Sequence, residues 1–434
     1  EDEELKYKIL ESIENLDDAT DGVLINSDNF HGLNFLQNRY REKVKCAYID
    51  PPYNTGSDGF AYKDNYQHSS WLSMMNDRLQ LSKELLSENG ALFSSIDDFE
   101  SKNLIEVNNI VFGTHNFMCP LFIQVRYTNK TLSEDSDFQK VIEQVFIHTK
   151  SDKFKPIKES EEYSIDKFEW EITELEKGEK FEAGGKSIEV FTSEKYEIKK
   201  VAPHVKALKE TWATGTLARQ KGSSGEFFEL HLGTRKDLDG LNCLYKVYGI
   251  GEDGLGFRYF TGPKKATATK GKFYSGIPLQ TLNELNLGMA TKDEPIPNFF
   301  DYSGEFGNCR LEGKVDIKGG KKPEKLIEKI INTSIIEAEK NYVLDYFAGS
   351  GTTPAVAHKM NKKYLAIEMG EYFESRVLKR MKYTLFGDSG GIESQNLGGI
   401  VKYYRLEQYE DTLENSKLQS STDTDSYIKA LEPL

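Results

Sequence analysis

The stretch Ala47-Tyr48-Ile49-Asp50-Pro51-Pro52-Tyr53-Asn54-Thr55-Gly56 closes an apolar run on a carboxylate, two prolines and an aromatic ring. Each proline removes a ladder donor and fixes φ, so a strand stops here and the backbone turns outward. The run before it, VKCAYI at 44–49, reads as that strand. A strand ending on so stiff a turn delivers Asp50, two carbonyls and the ring of Tyr53 into one small space, which suits an acceptor site for a polar, planar group.

Outward from this point, short apolar runs alternate with amphipathic stretches over about 20–150, the texture of an α/β fold with buried parallel strands. WLSMMNDRLQLSKELLSENG places Leu72, Met75, Leu79 and Leu86 on one helical face and suggests a stop at Asn89-Gly90. ALFSSIDD (91–98) and VIEQVFIHTK (141–150) read as further strands. Over 151–315 the texture changes to charged, Gly-rich segments with scattered aromatics, such as YKVYGIGEDGLGFRYF, which favours hairpins over βα units. From about 316 the α/β texture returns: a helix opening at Pro323, a strand YVLDYF, a helix GTTPAVAHKM and a strand YLAIE. The expected organisation is therefore one α/β domain in two halves, 1–150 and 316–410, with a β-rich module at 151–315 between them and a polar tail at 411–434.

The second strong motif, Leu344-Asp345-Tyr346-Phe347-Ala348-Gly349-Ser350-Gly351-Thr352-Thr353, runs from a strand through a Gly-rich turn into a helix. Such a turn lets backbone approach a ligand, and the helix N-terminus beyond it favours anionic groups. A phosphate-binding P-loop would carry Lys after Gly351, and a dinucleotide fingerprint would carry Gly where Pro354 stands, so neither fits. Glu368 closes the next strand, where doubly wound folds place an acid on ribose hydroxyls. A nucleoside without pyrophosphate is implied, and S-adenosylmethionine fits. Its ribose would meet Glu368, its carboxylate the backbone amides around Gly349 and Gly351, and its ammonium Asp345 or Asp50. Phe347, Ala348, Ser350 and Thr352 complete the candidate cofactor-binding set.

A sulfonium methyl donor needs an acceptor, and an aromatic amine is a poor nucleophile while its lone pair is delocalised. Hydrogen bonds accepted by Asp50 and the Pro51 carbonyl would localise that lone pair, Pro52 would stiffen the turn, and Tyr53 would stack on a nucleobase. A base inside a duplex reaches such a pocket only by flipping out.

DPPYNTG together with FAGSGTT resembles the amino-group DNA methyltransferases, and the order of the two motifs resembles their β arrangement. More closely, CAYIDPPYNTGSDGFAYKDNYQHSSWLSMMNDRL, LFSSIDD, GLGFRYFTGPKKATATKGKFYSGIP and YYRLEQYED are similar to the Mod (modification) subunits of type III restriction-modification systems, over about 20–410. The resemblance implies a doubly wound, Rossmann-like S-adenosylmethionine-dependent methyltransferase domain with an inserted β-rich target recognition domain. It further implies methylation of adenine N6 in double-stranded DNA, a homodimer, and a Res helicase-nuclease partner. Methylation of cytosine N4 in place of adenine N6 shares the same chemistry; a DNA-reading subunit that positions a nuclease is the alternative from another class. Asp28 and Asn29 in INSDN resemble the family segment that borders the cofactor, and equally suit a turn or helix cap. Asp97 and Asp98 either join the site or cap the next helix.

The net charge of −14 argues on its face against a nucleic-acid partner, but its distribution does not. The segment 257–272, FRYFTGPKKATATKGK, holds Arg258, Lys264, Lys265, Lys270 and Lys272 with no acid and with interleaved Phe257, Tyr259 and Phe260, a candidate DNA-binding stripe. Cys46, Cys119, Cys243 and Cys309 lie far apart and the seven His show no paired spacing, so neither disulfides nor a metal are expected. The acidic start EDEELKYKIL is unlike a secretion signal and no apolar run suits a membrane span, so a soluble cytoplasmic protein is expected.

Overall fold

The computed structural model describes residues 3–55, 66–130, 137–315, 320–387 and 390–407. The polar tail expected at 411–434, and Gly56 with the aromatic stretch after it, lie outside the described residues. Two compact units form: Glu1–Lys158 with Ile296–Leu434, and Glu159–Pro295.

The first unit is built on a nine-stranded sheet: β1 (Thr20–Asn26), β2 (Val44–Ile49), β3 (Leu86–Ile96), β4 (Phe117–Gln124), β5 (Ile142–Thr149), β6 (Phe299–Asp301), β7 (Tyr342–Asp345), β8 (Lys363–Glu368) and β9 (Ile400–Arg405). Their spatial order is β6-β4-β5-β3-β2-β7-β8-β1-β9. Crossovers leave β2 toward β3 and β7 toward β8, in opposite directions, so the carboxyl ends of β2 and β7 open the crevice of a doubly wound sheet. The two halves of the domain interleave here, because β2 pairs in parallel with β7, Ala47 opposite Leu344.

Alternation decides which face each side chain covers. Val23, Ile25, Ala47 and Ile49 pack under the helices Asn29–Tyr40, His68–Leu85 and Ser101–Phe112, whereas Leu24, Cys46 and Tyr48 pack under Glu324–Ser334 and Thr352–Lys359. Both faces are covered, which is why these strands are apolar throughout rather than alternately polar.

The structure departs from the sequence reading in three places. β5 is antiparallel to both β3 and β4, so the sheet is mixed; β4 and β5 are successive in the chain, and an antiparallel pair needs no crossover helix. The helix His68–Leu85 buries Trp71, Met75, Leu79, Ser82 and Leu85, while Leu72 is half-buried and Leu86 already opens β3. Gly90 is a strand residue and not a helix cap: a Cβ there would sit 2.7 Å from the Val44 carbonyl oxygen of the neighbouring strand.

The second unit is an eight-stranded antiparallel sheet, with strands from Phe168–Glu174 to Lys272–Ser275, over a core of Ile188, Phe228, Leu232, Tyr245, Val247 and Phe260. The segment read as hairpin-forming does pair antiparallel, Tyr248 opposite Phe257.

A buried ionic cluster, invisible in the sequence, ties the helices of one face together. Glu324 accepts from Lys359 Nζ at 2.8 Å, Arg380 Nη2 at 2.7 Å and the Ile392 amide at 3.1 Å, and all three charged side chains are fully buried. Removing one member of such a cluster strands the others in low dielectric. Glu324→Gln is therefore expected to cost on the order of 3 kcal/mol in urea unfolding, and a loss below about 1 kcal/mol would contradict this role.

Candidate active site

Pro51 is buried, and Pro52 and Tyr53 are half-buried, where the chain leaves β2. Trp71, buried in the helix behind, donates its indole N–H to the Pro52 carbonyl at 2.9 Å. Asn54 takes a left-handed φ of 61°, a conformation in which Asn is enriched. Its amide Nδ2 donates to the Tyr66 carbonyl at 3.0 Å and to Glu100 Oε1 at 2.7 Å, and its Oδ1 accepts from the Tyr66 amide. Glu100 is fully buried and also receives His68 Nδ1 at 2.7 Å and Asn103 Nδ2 at 2.6 Å. A carboxylate with its acceptors filled from three sides thus fixes the turn that carries Asp50 and Tyr53. Asp97 and Asp98, by contrast, cap the Phe99 amide and pair with Lys140.

The second motif leaves β7 beside this turn. Asp345 Oδ1 accepts the Phe347 amide at 2.9 Å and Oδ2 the Thr353 hydroxyl at 2.5 Å; burial pushes its carboxyl up to about 7 against these hydrogen bonds. Gly349 and Gly351 have φ of 52° and 73°, which glycine adopts without strain. Their amides are already engaged: Gly351 donates to the Ala348 carbonyl at 2.7 Å, and Gly349 to Glu368 Oε2 at 2.7 Å. Glu368 Oε1 further accepts from the Gly370 amide at 2.7 Å and Tyr372 at 3.0 Å. Of the backbone amides around Gly349 and Gly351 expected to meet a carboxylate, these two are therefore engaged within the protein, because the turn closes on itself and on Glu368. Ser350 and Thr352 hydroxyls lie 2.9 Å apart, and Arg380 Nη1 holds Thr352 at 2.8 Å.

Two clefts meet at Asp50 and Phe347. One is lined by Asp50, Lys322, Asp345, Ser350, Thr352 and Arg376. The other is lined by Asp28, Asn29, Asp50, Phe347, Glu368 and Met369. Asp28 both caps the next helix through the Phe30 amide at 2.8 Å and pairs with Arg78 at 3.0 Å, so the cap and the cleft wall are one residue.

Lys322, Glu143 and Glu100 are the residues that sequence reasoning missed. Lys322 Nζ lies 2.9 Å from each Asp50 oxygen, with hydrogen-bond geometry toward Oδ2 alone, and donates to the Tyr53 hydroxyl at 2.8 Å. Tyr53 in turn donates to Glu143 Oε2 at 3.0 Å. Asp50 Oδ1 is buried and accepts no hydrogen bond among the described residues. A signal existed in Lys322-Pro323: a residue before proline is held extended, so Lys322 could not join the helix that follows.

In the second unit the basic stripe divides. Arg258 turns inward, bonded to the Ser224 hydroxyl at 2.5 Å and 3.7 Å from Asp253, and Lys272 pairs with Glu210 at 2.5 Å. Lys264, Lys265 and Lys270, on the loop between strands Phe257–Thr261 and Lys272–Ser275, are exposed.

A doubly wound sheet with a carboxylate turn and a glycine turn at adjacent strand ends is the arrangement in which open α/β sheets form a ligand crevice. A family model described as DNA methylase matches residues 44–379, and the chain belongs to that family. It is 28% identical over 440 residues to the "Probable type III restriction-modification enzyme HindVI Mod subunit" of Haemophilus influenzae, covering 95% of this chain and 57% of that one. It is 27% identical over 390 residues to the "Type III restriction-modification enzyme EcoPI Mod subunit" of Escherichia phage P1, covering 79% and 55%. The chain thus spans little more than half the length of these curated relatives. Among solved structures, the PvuII DNA methyltransferase (cytosine-N4-specific) matches at a TM-score of 0.40 and 11% identity, over 83% of this chain and 86% of that one.

If Glu100 fixes the Asp50–Tyr53 turn, Glu100→Ala is expected to raise deuterium uptake in peptides around 48–55 and 66–71 while β3 and β7 stay protected. Unchanged uptake in those peptides would remove Glu100 from this role.

Proposed function

We propose that the chain is an S-adenosylmethionine-dependent DNA methyltransferase that acts on adenine N6 of a flipped base in double-stranded DNA, as the Mod-like subunit of a type III system. The observation that carries this reading is Asp50, which lines two clefts at once, one beside Glu368 and one beside the Ser350–Thr352 turn, and whose Oδ1 accepts no hydrogen bond among the described residues.

The residues present fit the cofactor. Glu368, with Asp28, Asn29 and Phe347, offers acceptors and a ring for a nucleoside; Ser350, Thr352 and Arg376 offer donors for a carboxylate. Bound there, S-adenosylmethionine supplies an electrophilic methyl group. Asp50 Oδ1 accepts a hydrogen bond from the target amine and so localises the lone pair on N6. Once N6 carries the methyl group it must shed a proton, and Asp50 is the base in contact with it. Tyr53 presents its ring for stacking while Lys322 and Glu143 fix its hydroxyl. Outside the cleft, the exposed Lys264, Lys265 and Lys270 supply phosphate contacts, the inserted unit Glu159–Pro295 serves as target recognition domain, and a second copy and a Res helicase-nuclease complete the assembly in the cytoplasm. Among the described residues no helix is long and apolar enough to cross a membrane.

Asp50→Ala is expected to abolish transfer of labelled methyl groups to duplex DNA while DNA retention in a gel persists; wild-type transfer by the variant would end this assignment. Tyr53→Phe is expected to keep most activity, whereas Tyr53→Ala loses roughly 1–3 kcal/mol of stacking, about one to two decades. Equal damage from both would show the hydroxyl to be the working part. Replacing Lys264 and Lys265 with Ala is expected to flatten the salt dependence of DNA binding by roughly one unit of slope for each phosphate no longer neutralised, and an unchanged slope would return the loop to ordinary surface.

A further inference from the structure

The catalytic carboxylate stands in a setting that works against its own charge. Asp50 faces Glu143 from β5, Asp345 from β7, and the phenols of Tyr48 and Tyr53 from its own segment; among the described residues the one cation bonded to it is Lys322, from the extended stretch before Glu324–Ser334. Lys322 is 7% exposed in its side chain and cannot exchange this contact for water without a large movement. It also lies 3.4 Å from Glu143. The arrangement therefore balances one buried ammonium against two carboxylates, with Lys322 Nζ 2.9 Å from both Asp50 oxygens and in hydrogen-bond geometry toward Oδ2.

We propose, resting on the methyltransferase reading, that Lys322 is the positioning residue that keeps Asp50 ionised, so that its carboxylate can accept the target amine, with Glu143 setting the opposing pull. A protonated carboxyl would offer the amine a donor where an acceptor is required. The directions agree with this geometry. Burial raises the Asp50 carboxyl, Lys322 lowers it and Glu143 raises it again. Burial disfavours the charge of Lys322, yet Asp50 and Glu143 together hold it above the ordinary lysine value, so the ammonium stays charged across the working range. The sequence assigned no role to Lys322 or Glu143, which join Asp50 only through the fold. Lysine, moreover, has no lone pair to offer in this state and so does not compete with Asp50 as the base.

The test is the pH profile of methyl transfer, measured as kcat at saturating S-adenosylmethionine and duplex DNA. Lys322→Met removes the cation, so Asp50 protonates at higher pH and the acid limb moves up by roughly one to three pH units. Lys322→Arg keeps the charge and should hold the limb close to wild type. Glu143→Gln removes the opposing charge and should move the limb down. General damage to the site lowers the plateau in every variant and cannot move the limb in opposite directions. If Lys322→Met fails to fold, Glu143→Gln against wild type still decides, because an unmoved or raised limb overturns the proposal. An acid limb in Lys322→Met at the wild-type position also overturns it while leaving the methyltransferase reading intact. Absence of transfer by the wild-type protein at any pH would instead overturn the reading on which the proposal rests.

Discussion

The parallel pairing of β2 with β7 is the constraint from which the candidate site follows. With Ala47 opposite Leu344, Asp50 and Asp345 leave the sheet at the same edge. Parallel strands carry their carboxyl ends together, so two motifs far apart in sequence become two walls of one crevice. The helices on both faces, the apolar character of both strands and the opposite directions of the crossovers all serve that adjacency. A one-residue slip would exchange the faces of Cys46 and Ala47 and destroy both cores at once.

Around this edge the protein places acids where their charge is least welcome and then offsets it locally. Glu368 is held by two amides and a phenol, Glu100 by two amides and an imidazole, Asp345 by an amide and a hydroxyl, and Glu324 by two cations. Each of these carboxylates has both oxygens bonded within the protein and so holds the structure around it. Asp50 differs, since Lys322 lies 2.9 Å from both of its oxygens and, among the described residues, only Oδ2 accepts a hydrogen bond. Leaving an acceptor unspent in a buried site is costly unless something else fills it.

The strands carrying both motifs were legible because their signals are local: VKCAYI is β2 residue for residue, and the apolar run, the prolines and the glycine turn each act within a few positions. The candidate residues Asp50, Phe347, Ser350 and Glu368 could be named for the same reason. Pairing direction was not legible for β5, because the apolar pattern of a doubly covered strand is the same in either orientation. Gly90 was misread because a glycine needed for close strand approach looks, in sequence, like a helix cap. Glu100, Glu143, Lys322 and Arg380 escaped notice because each acts through partners brought close only by the fold, and Arg258 was overvalued because an arginine that bonds Ser224 beneath the surface has the same letter as one that faces solvent.

The account stands most directly on which atom of DNA gains a methyl group. Duplex DNA incubated with the protein and S-adenosylmethionine, digested to nucleosides and resolved by mass spectrometry, is expected to accumulate N6-methyladenine, in keeping with an acceptor built on Asp50 and a stacking ring. Accumulation of 5-methylcytosine would contradict the account, because methylation of a ring carbon has no use for a carboxylate that accepts from an exocyclic amine. So would DNA that stays unmodified while the cofactor is bound.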